Sequence, residues 1–387
     1  MTSPDWTALE EALVVQLPAR RPGTARAALL ADLGRYTRAV VQAAHAQGPA
    51  PPSRDDIEAA HDWLMRPVFI CGHHRSGTTL LQELLDGHPD LMVLPSEGTY
   101  FSSFRSVARR APAQAELDRF ATEWVARFVD PNYEPHFKLG RSSGSDNPYV
   151  RFARRWSGWL TAIKHDCPQV AEFAPLLALA AAYRDVQAGD SAPRMWIDKT
   201  PLNERYLRRF DAFADARFIQ LVRDPQDSLA SLLEALRAAG VTAPDVAAHA
   251  SDIGHSLRLA AEYTRRFPQR YIAVKYEDLV DSTAIEMERV CRFLEIEPHG
   301  SLRTPTRAGV PARSNSSFGR DAAGAVRRSG RGTQLSPHDA RVLSASAAVP
   351  ARAFGYDLPW VSAWFRSVVG LRNAPRALKR RLRSALR

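Results

Sequence analysis

The sequence predicts an α/β protein, a P-loop-type three-layer fold whose central parallel sheet is flanked by helices, with a helical insertion and a helical N-terminal extension. Three observations carry that expectation. The apolar run PVFICG leads through a glycine-framed loop into TTLLQELL, which is the strand, loop and helix that open a parallel βα unit. Further short apolar runs (DLMVLP, RMWIDKTP, ARFIQLVRDP and RYIAVKYEDLV) alternate with stretches of helical period. The chain has 387 residues, 45% of them hydrophobic, enough for one large domain with additions.

Residues 1–62 read as an N-terminal extension of short helices, broken by ARRPGTAR and by QGPAPPSRDD, the latter a linker by its Pro and Ser content. The main domain spans 63–360 and opens with PVFICG, bounded by proline and glycine as a buried strand should be. Leu80, Leu81, Leu84 and Leu85 then fall at helical spacing, with Gly87 as a stop signal. DLMVLP reads as a second strand leading to Ser96 and Glu97. An insertion of about 100–190 is helical and aromatic-rich, with Trp124, Phe128, Trp156 and Trp159 and a polar interruption, KLGRSSGSDNP. Packing is the preferred account of those aromatics, since such rings chiefly supply core area; a substrate pocket is the alternative. RMWIDKTP and ARFIQLVRDP are two more strands, separated by a helix around Asn203 to Phe213. PQDSLASLLEALRAAG is a helix started by Pro225 and stopped by Gly240, and a longer helix runs from about Pro244 to Phe267. RYIAVKYEDLV is the last strand. Residues 303–333 are rich in Arg, Ser and Gly, so they form either a disordered loop or one ordered by an anion. A closing helix begins at Ser336 and Pro337, and 361–387 form a basic tail.

Composition limits the classes of function. Of the net charge of +10, eight positive charges lie between Arg366 and Arg387, where no acidic residue occurs, so the body is only mildly basic. Nucleic acid is not the expected partner. The tail is read as a solvated end, with peripheral contact to a membrane surface or an anionic partner as alternatives. Cys71, Cys167 and Cys291 are scattered without metal-ligand spacing, which favours reduced thiols and a cytoplasmic location over a zinc site. The N-terminal residues lack an export pattern, and no window supplies roughly 18 uninterrupted apolar residues for a membrane span. Only five of the 52 basic residues are lysines, a bias typical of a GC-rich bacterial genome, so a lysine beside a candidate site stands out.

The loop from Gly72 to Thr79 carries the chemistry. Gly72 and Gly77 have the G-x-x-x-x-G spacing of a loop whose backbone amides and helix N-terminus hold phosphate. Thr78 stands where a triphosphatase places its lysine, and ARFIQLV ends in Arg223 rather than in a magnesium-binding carboxylate, with Asp224 one residue on. Both departures point to an anion of lower charge density and to no metal. Arg75 supplies a fixed charge, and Thr78 and Thr79 supply hydroxyl donors. Ser231, eight residues beyond Arg223, falls about two helical turns above the strand end, so a nucleotide with separated anionic groups fits.

These stretches resemble a known family. CGHHRSGTTLLQELLDGHPD is similar to the 5′-phosphosulfate loop of sulfotransferases, above all the tyrosylprotein-type and bacterial branch, in which RSGTT replaces the KSGTT of the cytosolic enzymes. FIQLVRDPQDSLAS resembles their 3′-phosphate motif, and KTP and VKYEDLV match the family's order. The resemblance covers about Arg66 to Val280. It implies in-line transfer of a sulfuryl group from 3′-phosphoadenosine 5′-phosphosulfate (PAPS) to a hydroxyl or amine. It also implies Glu97 as base, although its spacing from Arg75 is one residue longer than in the tyrosylprotein branch, with Arg75 and Lys199 as charge stabilisers. The nucleotide would be held by Gly72, Arg75, Ser76, Gly77, Thr78 and Thr79 at one phosphate, by Arg223 and Ser231 at the other, and by Tyr276, Arg313 and Ser317. A P-loop kinase using ATP and magnesium, and a non-catalytic anion or nucleic-acid binder, are the competing classes. Acceptor identity (small molecule, carbohydrate, lipid or peptide) and oligomeric state are not encoded in any motif.

Overall fold

A computed structural model describes residues 4–15, 24–106, 115–129, 134–187, 193–312, 324–326 and 334–370. Its centre is a five-stranded parallel sheet: β1 (Pro67–Gly72), β2 (Leu91–Val93), β3 (Met195–Lys199), β4 (Arg217–Val222) and β5 (Tyr271–Lys275), in the spatial order β2, β3, β1, β4, β5. Every residue of β1 is buried, as a central parallel strand requires, and its apolar run shows no alternation for that reason. The chain leaves β1, reaches the edge at β2, returns through β3 and then crosses to β4. The crevice above β1 is therefore the switch point where such sheets bind ligands, at the carboxyl ends of the strands.

Helices cover both faces. α4 (Thr78–Leu85) follows β1 and buries Leu81, Leu84 and Leu85 on one face of the sheet, beside Val68, Ile70 and Ile219. On the other face lies a larger core joining Phe69, Trp196 and Phe218 to the insertion and to the N-terminal helices α1 (Trp6–Val15), α2 (Thr24–Gln47) and α3 (Arg54–Leu64). The N-terminal helices share that core, with Trp6, Tyr36 and Trp63 all buried, and α2 is long rather than short. QGPAPPSRDD is the expected linker, with residues 48–53 irregular and exposed or half-buried between α2 and α3. Ala50 N–H donates to Arg154 O at 3.0 Å, and a Cβ on Gly158 would sit 2.2 Å from Ala50 O, so the segment lies against the helix Pro148–Asp166 with room only for glycine. Ser53 still caps α3 as part of a capping box with Asp56.

The insertion contains a π-helical turn at Tyr100–Phe104, helical residues from Glu116 to Val129, and the helices Pro148–Asp166 and Ala174–Gln187. Its aromatics are core: Phe104 stacks on Trp124 at 4.4 Å and Phe120 on Trp156 at 4.5 Å, and Trp124, Trp156 and Trp159 are all buried. Their indole N–H groups are satisfied by Gly98 O, Pro175 O and Asp185 respectively.

Three further expectations are corrected. Asn203–Ala212 is a 3-10 helix. The last strand ends at Lys275, and Tyr276 begins a short helix, Tyr276–Asp281. Of residues 303–333 only 303–312 and 324–326 are described, and 303–312 are not a disordered loop. Thr306–Arg307 and Val310–Pro311 pair as a hairpin, which acidic residues of the α4 end hold: Thr306 Oγ1 and Gly309 N–H both donate to Asp86, and Arg307 makes a buried ion pair with Glu83. An Arg-rich segment can be ordered by carboxylates already in the fold, and two of them lie one helical turn apart on α4. Arg313 and Ser317 lie outside the described residues, as do residues 371–387 of the basic tail. No described helix is long and apolar enough to cross a membrane.

Candidate active site

The loop after β1 is built to expose backbone. Gly72, Arg75 and Gly77 all take positive φ (132°, 68° and 95°). At Gly72 a Cβ would lie 2.4 Å from Leu221 O of β4, and at Gly77 it would lie 2.3 Å from the Tyr276 ring, so both glycines are required by close approach as well as by conformation. Gly77 is the N-cap of α4 and offers no side chain, which leaves the first-turn N–H groups to an incoming anion. Thr78 is buried and Thr79 half-buried at that helix start. Ser76 closes the turn from inside, its hydroxyl (2.6 Å) and its N–H (3.2 Å) both donating to His73 O.

The loop is also held from behind. Gly72 N–H donates to Glu204 at 3.1 Å, Ser256 donates to the other oxygen of that carboxylate at 2.6 Å, and Gln220 donates to Ser256 and accepts from Tyr271. Burial pushes the Glu204 carboxyl up, and the hydrogen bonds and the neighbouring Arg205 pull against it. No motif marked Glu204, because it lies 132 residues from the amide it holds.

On the β4 side, Arg223 follows the strand directly. Its Nη1 donates to Arg75 O at 3.1 Å, and its guanidinium lies 4.5 Å over the Tyr276 ring. Arg75 Nε donates to Ser231 Oγ at 2.9 Å. Four of the expected binding residues, Arg75, Arg223, Ser231 and Tyr276, are thus one cluster, and the Arg75 side chain joins the pair read as a second phosphate site rather than standing by Glu97. Asp224, where a metal-binding carboxylate was sought, caps the helix Pro225–Ala238 by accepting from Gln226 N–H (2.7 Å) and Asp227 N–H (3.2 Å).

On the β3 side, Lys199 Nζ donates to Glu97 Oε1 at 2.7 Å; the lysine is 7% exposed and the glutamate 33%. Burial pushes the Glu97 carboxyl up, but Lys199, with Arg127 and His74 beyond it, overcomes that and leaves it below the usual carboxylate range. Arg127 Nη1 lies 4.0 Å from Glu97 Oε2. Nothing in the sequence pointed to Arg127, which the insertion supplies. The three consecutive residues Asp198, Lys199 and Thr200 grip three consecutive residues of the facing loop. Asp198 accepts Gly98 N–H at 2.8 Å, Lys199 pairs with Glu97, and Thr200 Oγ1 accepts Thr99 N–H at 2.9 Å. Asp198 is fully buried, and burial pushes its carboxyl up to about 6, against the Gly98 and Thr200 hydrogen bonds. A Cβ on Gly98 would lie 2.6 Å from the Asp198 carboxylate, so the loop needs glycine there. Position next to Lys199 in IDKTP was the only available hint to Asp198. His73 is buried, and its imidazole is pushed down to about 3, so it is no cation in the loop.

Comparisons with known proteins identify the family. The family model described as "Sulfotransferase family" matches residues 67–299, more than half of the chain. A Caenorhabditis briggsae protein named "Putative protein-tyrosine sulfotransferase" is 24% identical over 240 residues, covering 59% of this chain and 65%, just under two thirds, of that protein. Solved structures similar to the chain include the sulfotransferase domain of the Synechococcus PCC 7002 olefin synthase (18% identity, TM-score 0.38, covering 80% of this chain and 94% of that one). The sulfotransferase domain of the curacin biosynthetic pathway (19%, 0.42, 76% and 98%) and sulfotransferase STF9 of Mycobacterium avium (16%, 0.41, 78% and 81%) are others. By the extent of the family match, which runs from the first strand through the glycine loop, the Glu97 and Lys199 pair and the Arg223 cluster, this chain belongs to the sulfotransferase family.

Proposed function

We propose that this protein is an enzyme that transfers a sulfuryl group from PAPS to a hydroxyl or amine of an acceptor, with Glu97 as base. When bound, PAPS supplies a sulfuryl group attached to a phosphate that leaves. The observation that carries the reading is the placement of two unlike polar clusters on either side of one glycine loop. Arg75, Ser231, Arg223 and Tyr276 gather on the β4 side, and Lys199 paired with Glu97 at 2.7 Å lies on the β3 side.

The residues fit such a nucleotide. Backbone donors at Gly77 to Thr79 and the helix N-terminus favour one anionic group, and a guanidinium beside a serine hydroxyl favours another. The Arg223 guanidinium over Tyr276 fixes a flat cationic surface at the mouth of the loop. Glu97 is held as a carboxylate, the form a base must have, and remains partly open to an entering acceptor. Lys199 restrains its basicity: each hydrogen bond that Lys199 donates elsewhere would free Glu97 Oε1 to take the acceptor proton. Arg127, 4.0 Å from the other oxygen, adds to Lys199 in holding Glu97 ionised before the acceptor arrives. Asp198 and Thr200 hold the loop backbone on either side of Glu97 and thereby its aim.

Calorimetry with 3′,5′-ADP, without added divalent metal, should show binding, and labelled PAPS with a broad acceptor panel should release that nucleotide. Absence of nucleotide binding would overturn the proposal. Magnesium-dependent turnover of ATP would replace it with a kinase.

A further inference from the structure

We propose that the C-terminal described segment is a docking surface for an anionic lipid bilayer, formed by Trp360, Trp364, Arg366 and Val368 and selected for that partner by the basic sequence that follows. Residues 363–370 are helical, and with Trp360 and Val361 just ahead of the helix they carry two sets of apolar residues at four-residue spacing. Val361, Phe365 and Val369, each four apart, face the protein: Val361 and Val369 are buried, and Val369 and Phe365 join a core cluster with Val222, Leu229 and Leu343. Trp360, Trp364 and Val368 repeat the same spacing one residue earlier and face out, 80%, 73% and 42% exposed. The other six tryptophans of the chain are buried, so this exposure departs from how the protein places indole everywhere else.

Exposed large aromatics in a row mark an interaction surface rather than chance exposure. The chemistry beside them selects the partner. From Arg366 to the C-terminus there are eight basic residues and no acidic one, and the nearest acid before the stripe is Asp357. Arg366 itself is exposed, two residues beyond Trp364. A second copy of the same surface would bring two such runs together and be repelled. An apolar protein groove would strip water from Arg366 without returning a counter-charge. A bilayer surface meets both needs, because indole settles at the headgroup level while arginine reaches lipid phosphate. Each Lys or Arg near an anionic leaflet adds attraction, and an apolar stripe beside basic residues is the pattern of helices that lie in that interface. Leu378, Leu382 and Leu386 repeat the four-residue spacing within the basic run.

The test uses the full chain and sedimentation with phosphatidylcholine vesicles, with and without phosphatidylglycerol. The protein should sediment with the anionic vesicles and bind them at least tenfold more tightly than the neutral ones. Replacement of both tryptophans (Trp360→Ala with Trp364→Ala) should weaken that binding at least tenfold without changing the melting temperature. Acrylamide quenching gives a second readout: Trp360 and Trp364 should be quenched in free protein and protected on anionic vesicles. Failure to sediment with the anionic vesicles, or sedimentation indifferent to the double substitution, overturns the proposal. So does protection of these tryptophans before vesicles are added. If deletion of 371–387 relieves that protection, the protein's own tail is the occupant; if dilution relieves it, a second copy is. Equal protection by a short DNA duplex at the same salt would reassign the surface to nucleic acid.

Discussion

The two sides of the β1 loop are built on different principles. The β4 side joins two locally encoded pieces, the glycine loop and, about 150 residues later, Arg223 at the end of the adjacent strand with Ser231 on the helix that follows. The β3 side is assembled from distant pieces. Glu97 comes from the loop after β2, Lys199 from the end of β3 and Arg127 from the insertion, and their charges set one another. The first side can hold an anion with dipoles and fixed cations at modest energetic risk. The second buries opposite charges together, and removing either partner leaves the other uncompensated. Binding and proton transfer should accordingly be separable by mutation.

The largest expected effect is on the β3 side. Glu97→Gln should lower kcat by about 10²–10⁴-fold, the range for losing a positioned base, while 3′,5′-ADP affinity stays as in the wild type. Calorimetry beside steady-state kinetics checks this, and a parallel loss of affinity would mean that the two sides are one unit. Arg223→Ala should act the other way, weakening 3′,5′-ADP by roughly 10–100-fold, as expected for losing a charge-assisted hydrogen bond of about 1.5–3 kcal/mol. A fall in kcat at saturating nucleotide with affinity intact would move Arg223 to the catalytic side.

The smallest effect is the most diagnostic of how the β3 side works. In the wild type the Glu97 carboxyl is held below its usual range, so its ionised form, and the stability it contributes, are present above the unfolded value and lost only as pH falls through the lower folded one. Lys199→Met removes the main opposing charge and leaves burial to act. The acid limb of the pH and kcat/KM profile should then move to higher pH. An unmoved limb would show that another group titrates.

Much of the fold was legible because its signals are local. An apolar run bounded by glycine, leucines at helical spacing, and Pro225 with Gly240 around one helix each state a local preference, and tertiary structure agreed with all of them. Tyr276 was misread as a strand residue because an apolar pattern does not mark where a strand gives way to a helix. QGPAPPSRDD was legible as a linker from its composition, but not that it lies against a distant helix where Gly158 makes room for it. Residues 303–333 read as a disordered loop or one ordered by an anion, and nothing local showed that Glu83 and Asp86, over 200 residues away, hold 306–309.

The sequence by itself determined the anion loop, its lack of a Walker lysine, and the arginine and serine that follow the fourth strand, since loop geometry and helix start are set by residues next to one another. Only the tertiary structure decided that Arg75 reaches Ser231, that Glu204 holds the Gly72 amide and that Arg127 and Lys199 share Glu97. These are meetings of side chains separated by about 30 to 156 residues, and they arise from the order of strands in the sheet and from burial, which decides the charge a group carries.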